Sequence, residues 1–167
     1  SIMHVGRLAK MWDGVMGPER RALVRFDLSA VPADAEISSV TLQLTATKTH
    51  GGAITVDAHQ LLADWGEGTS SVSFGAKGAT ATSGDATWTH ALWNTAAWLA
   101  NGGDFEAVGS GSASVSGTGT VNITGSGLLS DVEAWRASPE TNFGWLLRGA
   151  DGIGTGTAKA LATRSHG

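Results

Sequence analysis

The sequence predicts an all-β protein: an antiparallel, jelly-roll-like β-sandwich with about eight or nine strands and one short helix near residues 127–137. Glycine is abundant, with 24 residues, whereas proline, with 3, and charged residues, at 16%, are scarce. This composition is typical of short strands joined by many turns. Apolar residues recur at every second position in several runs, and only one segment has helical spacing. Since each such strand has a single apolar face, two packed sheets are the natural way to bury those faces.

The clearest strand signal lies in residues 21–47. Apolar side chains occupy alternate positions in two runs, which are Ala22, Val24, Phe26 and Leu28, and then Val40, Leu42, Leu44 and Ala46. Because successive side chains of a strand point to opposite faces, each run predicts a strand with one buried face. Pro32 lies between the runs and lacks a backbone donor, so the chain turns or crosses there. We therefore expect two neighbouring strands that press their apolar faces onto an opposing sheet.

Further strands are predicted in residues 1–8, 54–62, 112–116, 120–124, 143–148 and 157–164. The Gly51-Gly52 pair between two alternating runs favours an antiparallel hairpin that joins the strand ending near residue 47 to the strand at 54–62. The glycine-rich residues 149–156 are expected to form the hairpin loop of the two closing strands.

Helical spacing occurs once, where Leu128, Val132 and Trp135 form one apolar stripe at positions i, i+4 and i+7. Ser126 is a suitable N-cap, and Pro139 explains why the helix ends. A single short helix is not stable by itself in water. We therefore expect this helix to lie across one end of the sandwich and to close that end with Trp135.

Residues 63–105 interrupt the strand pattern and form an insertion rich in tryptophan and glycine. They contain four of the seven tryptophans, Trp65, Trp88, Trp93 and Trp98. An insertion of this length is more often functional than idle, and an aromatic ring can cover the C–H face of a sugar. Trp93 and Trp98, which small and polar residues surround, are therefore predicted to contact a glycan or a protein at the surface. Trp65 and Trp88 are a second pair of candidate ligand-binding residues, but a tryptophan that follows a strand is more often part of the core, so a core position is expected for both.

Four carboxylates border the same insertion: Asp64, Glu67, Asp85 and Asp104. Carboxylate oxygens on flexible, glycine-rich loops suit Ca²⁺, so these residues are candidate calcium ligands. The alternative is that they are solvated turn residues, since no EF-hand spacing is present. The five histidines show no transition-metal spacing, and no motif requires a cofactor.

Composition and charge argue against several functional classes. A formal net charge of −4 without basic clusters argues against a nucleic-acid partner. No apolar run approaches the ~20 residues of a membrane span. The chain has no cysteine, so it has neither disulfides nor thiolate metal sites. We expect a single domain over residues 1–167 that is a processed product or a piece of a longer protein.

Several stretches follow one another in a specific order: RALVRFDLSAVPADAEISSVTLQL, HQLLADWGEGTS, GDATW, SDVEAWRASPETNFGWLLRG and TAKALATRS. In this order they resemble the DNRLRE-type domains, and the resemblance spans nearly the whole chain. These domains are β-sandwich modules of secreted and surface-anchored bacterial and archaeal proteins. Some relatives are carbohydrate-binding modules attached to polysaccharide lyases, and related repeats occur in disaggregatase-type enzymes. Trp65 and Trp88 match the recurring Trp-x-Glu and Thr-Trp positions of these domains.

The resemblance implies a non-catalytic, extracellular or cell-surface module that binds polysaccharide or displays a neighbouring domain. Such domains usually open with a longer stretch and finish with another apolar strand after the position of Arg164. If that strand is absent, one sheet has an open edge that pairs with a neighbouring chain and gives a homo-oligomer. A structural subunit of an extracellular filament or matrix, assembled by strand complementation, is therefore the alternative. A second alternative is an accessory part of a polysaccharide-degrading enzyme, although no nucleophile motif is present.

Overall fold

The computed structural model describes residues 2–9, 14–32, 34–70, 78–149 and 156–163 of the 167-residue chain. Within these residues the chain forms ten strands, one α-helix and one turn of 3-10 helix. The strands are β1 (Ile2–Arg7), β2 (Glu19–Val24), β3 (Leu42–Thr49), β4 (Ile54–Gln60), β5 (His90–Leu92), β6 (Ala96–Ala97), β7 (Gly111–Val115), β8 (Gly119–Ile123), β9 (Trp145–Gly149) and β10 (Lys159–Ala162). The helix α1 is Ser126–Ala137, and the 3-10 turn is Pro139–Thr141.

Eight of the strands are hydrogen-bonded in the order β7-β4-β9-β2-β1-β10-β3-β8, and all of these pairs are antiparallel. Only two residue pairs join β2 to β1, so this order divides into two four-stranded sheets. We name them the β3 sheet (β1-β10-β3-β8) and the β9 sheet (β2-β9-β4-β7). A bridge between Ser112 and Thr124 joins their far margins, β7 and β8. This arrangement is the eight-stranded jelly roll, and the predicted all-β sandwich with one helix is confirmed.

The main core lies between the two sheets. The period-two pattern of β3 is confirmed, since Leu42, Leu44 and Ala46 are buried and their neighbours are exposed or half-buried. Each fully buried Val or Leu contributes roughly 1.5–3 kcal/mol, so the paired inner faces stabilise the sandwich. Other members of this apolar cluster are Val5, Val56, Ala58, Ile123, Leu147 and Leu161.

The first strand changes its partner at Gly6. Residues 2–5 of β1 pair with β10, whereas Gly6 and Arg7 pair with β2. Gly6 has a φ of +92°, and a Cβ there would lie 2.9 Å from the carbonyl oxygen of Thr157. A Cβ at Gly149 would in turn lie 3.0 Å from Cα of Gly6. Backbone thus packs on backbone at the corner where the two sheets meet, and this requires glycine.

The predicted helix is confirmed as Ser126–Ala137. Its apolar stripe, Leu128, Val132 and Trp135, is buried. Trp135 packs edge-on against Trp145 of β9, with the ring centroids 4.7 Å apart. Both rings belong to the main core, so the helix is attached to the sandwich through this aromatic pair.

The N-cap of α1 is Gly125, so the prediction of Ser126 as the cap is wrong. Ser126 is the first helical residue, and no side chain caps the helix. The backbone N–H of Leu128 donates instead to the carbonyl of Ser110 at 3.0 Å. A Cβ at Gly125 would collide with that carbonyl, so the close approach of another chain segment takes the place of a side-chain cap. Pro139 opens the 3-10 turn that follows the helix, in agreement with its predicted role as a stop.

Both predicted hairpins are wrong. β3 pairs with β10 and β8, and β4 pairs with β9 and β7, so the Gly51-Gly52 link crosses from one sheet to the other. β9 and β10 also lie in different sheets, as do the expected neighbours β2 and β3. A short turn brings two strand ends together. Whether the strands then pair or face each other across the core depends on sheet topology, which the turn does not encode.

β2 ends at Val24, earlier than its alternating pattern predicts. Val24 packs against the main core, but Phe26 is 47% exposed, so its predicted burial is wrong. The carbonyl of Phe26 accepts a hydrogen bond from Nδ2 of Asn142 at 2.9 Å. A side chain, and not a strand ladder, therefore holds this part of the chain.

The strand expected after Arg164 falls outside the described residues. Within them, β10 lies between β1 and β3, so both of its edges are paired. The margins β7 and β8 meet at Ser112 and Thr124, where two backbone hydrogen bonds of 3.0 and 3.3 Å connect them. Among the described residues β10 itself therefore has no open edge, and assembly by strand complementation stays a prediction. No helix among them has both the length and the apolar character needed to cross a bilayer.

Replacement of Leu147 by alanine is expected to lower the free energy of unfolding by about 2–5 kcal/mol, because the side chain is fully buried in the main core. Leu99→Ala is the matched control, since Leu99 is 98% exposed and its loss should change that free energy by less than about 0.5 kcal/mol. Chemical denaturation followed by circular dichroism measures both effects. Equal destabilisation by the two substitutions would contradict the assigned core.

Candidate functional site

The tryptophan-rich insertion packs onto the outer face of the β9 sheet. β9 buries Leu147 in the main core and Leu146 in a second apolar cluster. The second cluster also contains Leu61, Ala91 and Trp98. Within the insertion, β5 and β6 pair with each other as a short antiparallel ribbon. The insertion is therefore a packed third layer, and its tryptophans have defined positions.

Trp98 is 7% exposed, so its predicted surface position is wrong. Its Nε1–H donates to the carbonyl of Thr87 at 2.9 Å. Its backbone N–H donates to the carbonyl of Thr89 at 3.1 Å. These bonds hold the residues on both sides of Trp88. The ring is buried because it belongs to the second cluster, which the small and polar sequence neighbours of Trp98 do not reveal.

Trp88 is 42% exposed, so it does not occupy the core position that was expected for it. Its carbonyl accepts a hydrogen bond from the N–H of Gly102 at 2.6 Å. The guanidinium carbon of Arg21 lies 4.8 Å from the centroid of its ring. The structure therefore reverses the expected positions of the two tryptophans. Trp98, expected at the surface, is buried beneath the segment of residues 87–89, and Trp88, expected in the core, is partly exposed.

Trp65 and Trp93 are half-buried. Trp65 donates its Nε1–H to the carbonyl of Phe143 at 2.8 Å. Trp93 packs edge-on against His90, with the ring centroids 4.8 Å apart. Both rings are thus engaged in contacts within the chain.

A groove runs along β2 beside Trp88. It consists of two depressions of about 420 and 370 Å³, and Glu19, Arg20 and Trp88 line both. Arg7 and Pro18 complete the smaller depression. The larger one also includes Arg21, Leu23, Glu67, Asp85 and Trp98. The described lining therefore combines one exposed aromatic ring with several arginine and carboxylate side chains, and of the four predicted tryptophans it contains Trp88 and Trp98.

Ion pairing and burial set the charges at one end of the groove. Arg7 forms an ion pair with Glu19 and donates to the carbonyl of Gly17 at 3.3 Å. Burial lowers the pKa of the Arg20 guanidinium. Burial and, to a smaller extent, the charge of Arg20 lower the pKa of His4. His4 is therefore neutral at neutral pH, and the arginines carry the positive charge of this region.

The alternating sequence pattern does not single out Glu19, Arg20 and Arg21 as site residues. One signal was available, because three consecutive charged residues at the start of a strand are unusual in a chain with 16% charged residues. Their place in a groove depends on the third layer, because Glu67, Asp85, Trp88 and Trp98 of the insertion complete its lining. The three charges alone do not reveal that layer, because residues distant in sequence form it.

Asp85 joins two chain segments at the rim of the groove. Its carboxylate accepts hydrogen bonds from the backbone N–H groups of Thr69, Ser70 and Thr82, at 2.9, 3.4 and 2.6 Å. The hydroxyls of Ser70 and Thr82 also donate to it. These bonds, first among them the one from the Ser70 hydroxyl, hold the pKa of Asp85 well below its usual range.

The four predicted calcium ligands are not brought together. Asp85 accepts hydrogen bonds from its own chain, as described above. Asp104 accepts from two backbone N–H groups, both at 2.9 Å, and Asp64 forms an ion pair with Arg25 at 2.6 Å. Glu67 lines the groove. Among the residues that the structure covers, no three His, Asp or Glu side chains group as metal ligands would, and calcium binding stays a prediction.

No protein-family model, no curated protein and no solved structure matches this chain. The resemblance to DNRLRE-type domains therefore stays a prediction. The function of the groove has to be inferred from its own residues and their geometry.

Trp98→Ala is expected to lower the free energy of unfolding by about 3–5 kcal/mol, because it removes a buried ring and the donor to the Thr87 carbonyl. Trp88→Ala is the matched control and should lower it by about 1 kcal/mol or less, since this ring is partly exposed. Thermal and chemical denaturation measure both. A larger loss of unfolding free energy in Trp88→Ala than in Trp98→Ala would contradict the assignment of Trp98 to the core and of Trp88 to the surface.

Asp85→Asn is expected to destabilise the two segments that Asp85 joins, because an amide accepts hydrogen bonds on one oxygen only. The pKa of Asp85 is lowered in the folded protein. Its carboxylate therefore adds stability above the unfolded value of about 3.9, and this contribution is lost progressively as the pH falls below that value.

The difference in unfolding free energy between the wild type and Asp85→Asn should thus be largest near neutral pH and shrink in acid. Urea denaturation over a pH series measures it. Asp64→Asn is the control, because it removes a carboxylate of the same insertion whose side chain is 62% exposed. If the two variants lost stability with the same pH profile, Asp85 would not have the role assigned to it.

Proposed function

We propose that the chain is a non-catalytic, extracellular β-sandwich module of the DNRLRE type that binds polysaccharide in the groove beside Trp88. The observation that carries this proposal is the indole of Trp88, 42% exposed in a groove that Glu19 and Arg20 also line. An exposed indole face can cover the C–H face of a pyranose ring. Guanidinium groups donate hydrogen bonds to sugar hydroxyls, and carboxylates accept them. The groove offers both kinds of contact.

The dimensions of the groove support a ligand made of repeated units. Its two depressions measure about 420 and 370 Å³ and share the residues around Trp88. Each falls within the range of about 300–1,000 Å³ that is usual for ligand pockets. A polysaccharide lying along β2 would place one ring on Trp88 and its neighbours on the charged residues at either side.

Two carboxylates of the groove, Asp85 and Glu19, favour binding over catalysis. A general acid needs a carboxyl group whose pKa is raised towards neutrality. The pKa of Asp85 is lowered instead, and Glu19 is held in an ion pair with Arg7. These two groups serve as fixed hydrogen-bond acceptors.

The resemblance to DNRLRE-type domains supports an extracellular or cell-surface location for such a module. Its partner there would be polysaccharide, or a neighbouring protein that the module displays. Jelly-roll sandwiches host many functions, so the fold by itself does not select carbohydrate. The exposed aromatic ring and its charged neighbours are what favour it.

Affinity electrophoresis against neutral and acidic polysaccharides, with Ca²⁺ or with EDTA, tests the proposal. At least one polysaccharide should retard the wild type. Trp88→Ala should weaken that interaction about tenfold or more, because it removes the ring on which the sugar stacks. A comparison of the two buffers shows whether a calcium ion takes part.

Phe26→Ala is the matched control, because Phe26 is an exposed aromatic residue, 47% accessible, that does not line the groove. It should be retarded as strongly as the wild type. No retardation of the wild type on any polysaccharide, in either buffer, would leave the proposal without support. Equal retardation of Trp88→Ala would exclude the groove as the site.

A further inference from the structure

We propose that Arg21 is a positioning residue, which holds the indole of Trp88 in the orientation that forms the wall of the groove. The inference rests on the proposed function where it concerns ligand binding, whereas the positioning itself is a property of the free protein. Arg21 lies on β2, and Trp88 lies in the insertion. The contact therefore joins the sandwich to the layer that covers it.

Arg21 contacts Trp88 both directly and through one intermediate residue. Its guanidinium carbon lies 4.8 Å from the centroid of the indole ring. Its Nη1 donates to the carbonyl of Gly102 at 2.8 Å. The N–H of Gly102 donates in turn to the carbonyl of Trp88 at 2.6 Å. Side chain and backbone of Trp88 are thus both tied to the same guanidinium.

The intermediate residue has to be glycine. Gly102 has a φ of +94°, a conformation that other residues rarely adopt. A Cβ at this position would collide with Nη1 of Arg21 and lie 3.0 Å from Cζ2 of Trp88. The space that a side chain would occupy is therefore filled by the stacked pair.

A second aromatic ring fixes the guanidinium. The guanidinium carbon of Arg21 lies 5.3 Å from the ring centroid of Phe105, and that of Arg148 lies 5.7 Å from the same ring. Arg21 and Arg148 are cross-strand partners on β2 and β9. Arg21 therefore contacts both Phe105 and Trp88. A planar guanidinium suits this place, whereas the compact ammonium group of lysine cannot stack in the same way.

The consequence for binding is preorganisation. A partly exposed tryptophan without a fixed neighbour samples several rotamers, and a ligand would have to select one of them. An indole that already lies against Arg21 presents one arrangement, so less conformational entropy is lost when a sugar stacks on it.

Nuclear magnetic resonance of the ¹⁵N-labelled indole groups tests the positioning without any ligand. The seven tryptophans provide seven Nε1–H groups, and the signal of Trp88 is assigned by its loss in Trp88→Phe. In Arg21→Lys the Trp88 signal should shift and its heteronuclear NOE should fall, while the other signals keep their positions. Arg25→Lys is the matched control, because Arg25 lies 5.6 Å from the ring of Trp65. It should move the Trp65 signal and leave that of Trp88 in place.

Binding is measured on any polysaccharide that retards the wild type. Arg21→Lys should weaken that interaction by about 3- to 10-fold, and Arg25→Lys should leave it unchanged. If the wild type binds no polysaccharide, the proposed function fails while the spectra still decide the positioning. An unchanged Trp88 signal in Arg21→Lys overturns the positioning. Shifts of all seven signals in both Arg21→Lys and Arg21→Met also overturn it, because Arg21 would then support the whole fold.

Discussion

β9 buries adjacent side chains on opposite faces of its sheet, and the rest of the structure depends on this double burial. Leu147 belongs to the main core, and Leu146 belongs to the second cluster. A strand with two apolar faces needs a packed layer on each side. The β3 sheet forms one layer, and the insertion with Trp98 forms the other. The groove lies where this outer layer meets β2. The candidate site therefore exists because the insertion packs on β9.

Polar contacts, more than regular secondary structure, order the insertion that carries the site. Asp85 gathers backbone and hydroxyl donors from two segments, and Asp104 accepts from the N–H groups of Leu99 and Ala100. Trp98 adds a hydrogen bond from its indole to the segment of Trp88. A carboxylate that accepts several such bonds organises irregular backbone much as a helix cap does. Loops held in this way over a rigid sheet are where binding residues commonly lie.

Local geometry explains which features could be predicted from the sequence. The alternation in β3 and the stripe of α1 follow from the spacing of side chains along a strand or helix, and both were predicted correctly. Strand pairing depends on contacts between distant segments, so the expected hairpins at Gly51-Gly52 and at residues 149–156 were wrong. The exposure of Trp88 and Trp98 depends on the second cluster, and their sequence neighbours suggest the opposite assignment.

The position of β10 has a consequence for the order in which the protein can fold. β10 is the last of the described strands, yet it lies between β1 and β3 and connects them. Until residues 159–162 have left the ribosome, β10 cannot pair with β1 or β3. The edges of these two strands that face β10 in the folded protein are then unpaired. The nascent chain therefore exposes two strand edges until residues 159–162 have emerged, and such edges promote wrong association. Completion of the sandwich has to wait for the pairing of β1 with β10, which are more than 150 residues apart in sequence, and contacts of such long range make slow folding the expected behaviour.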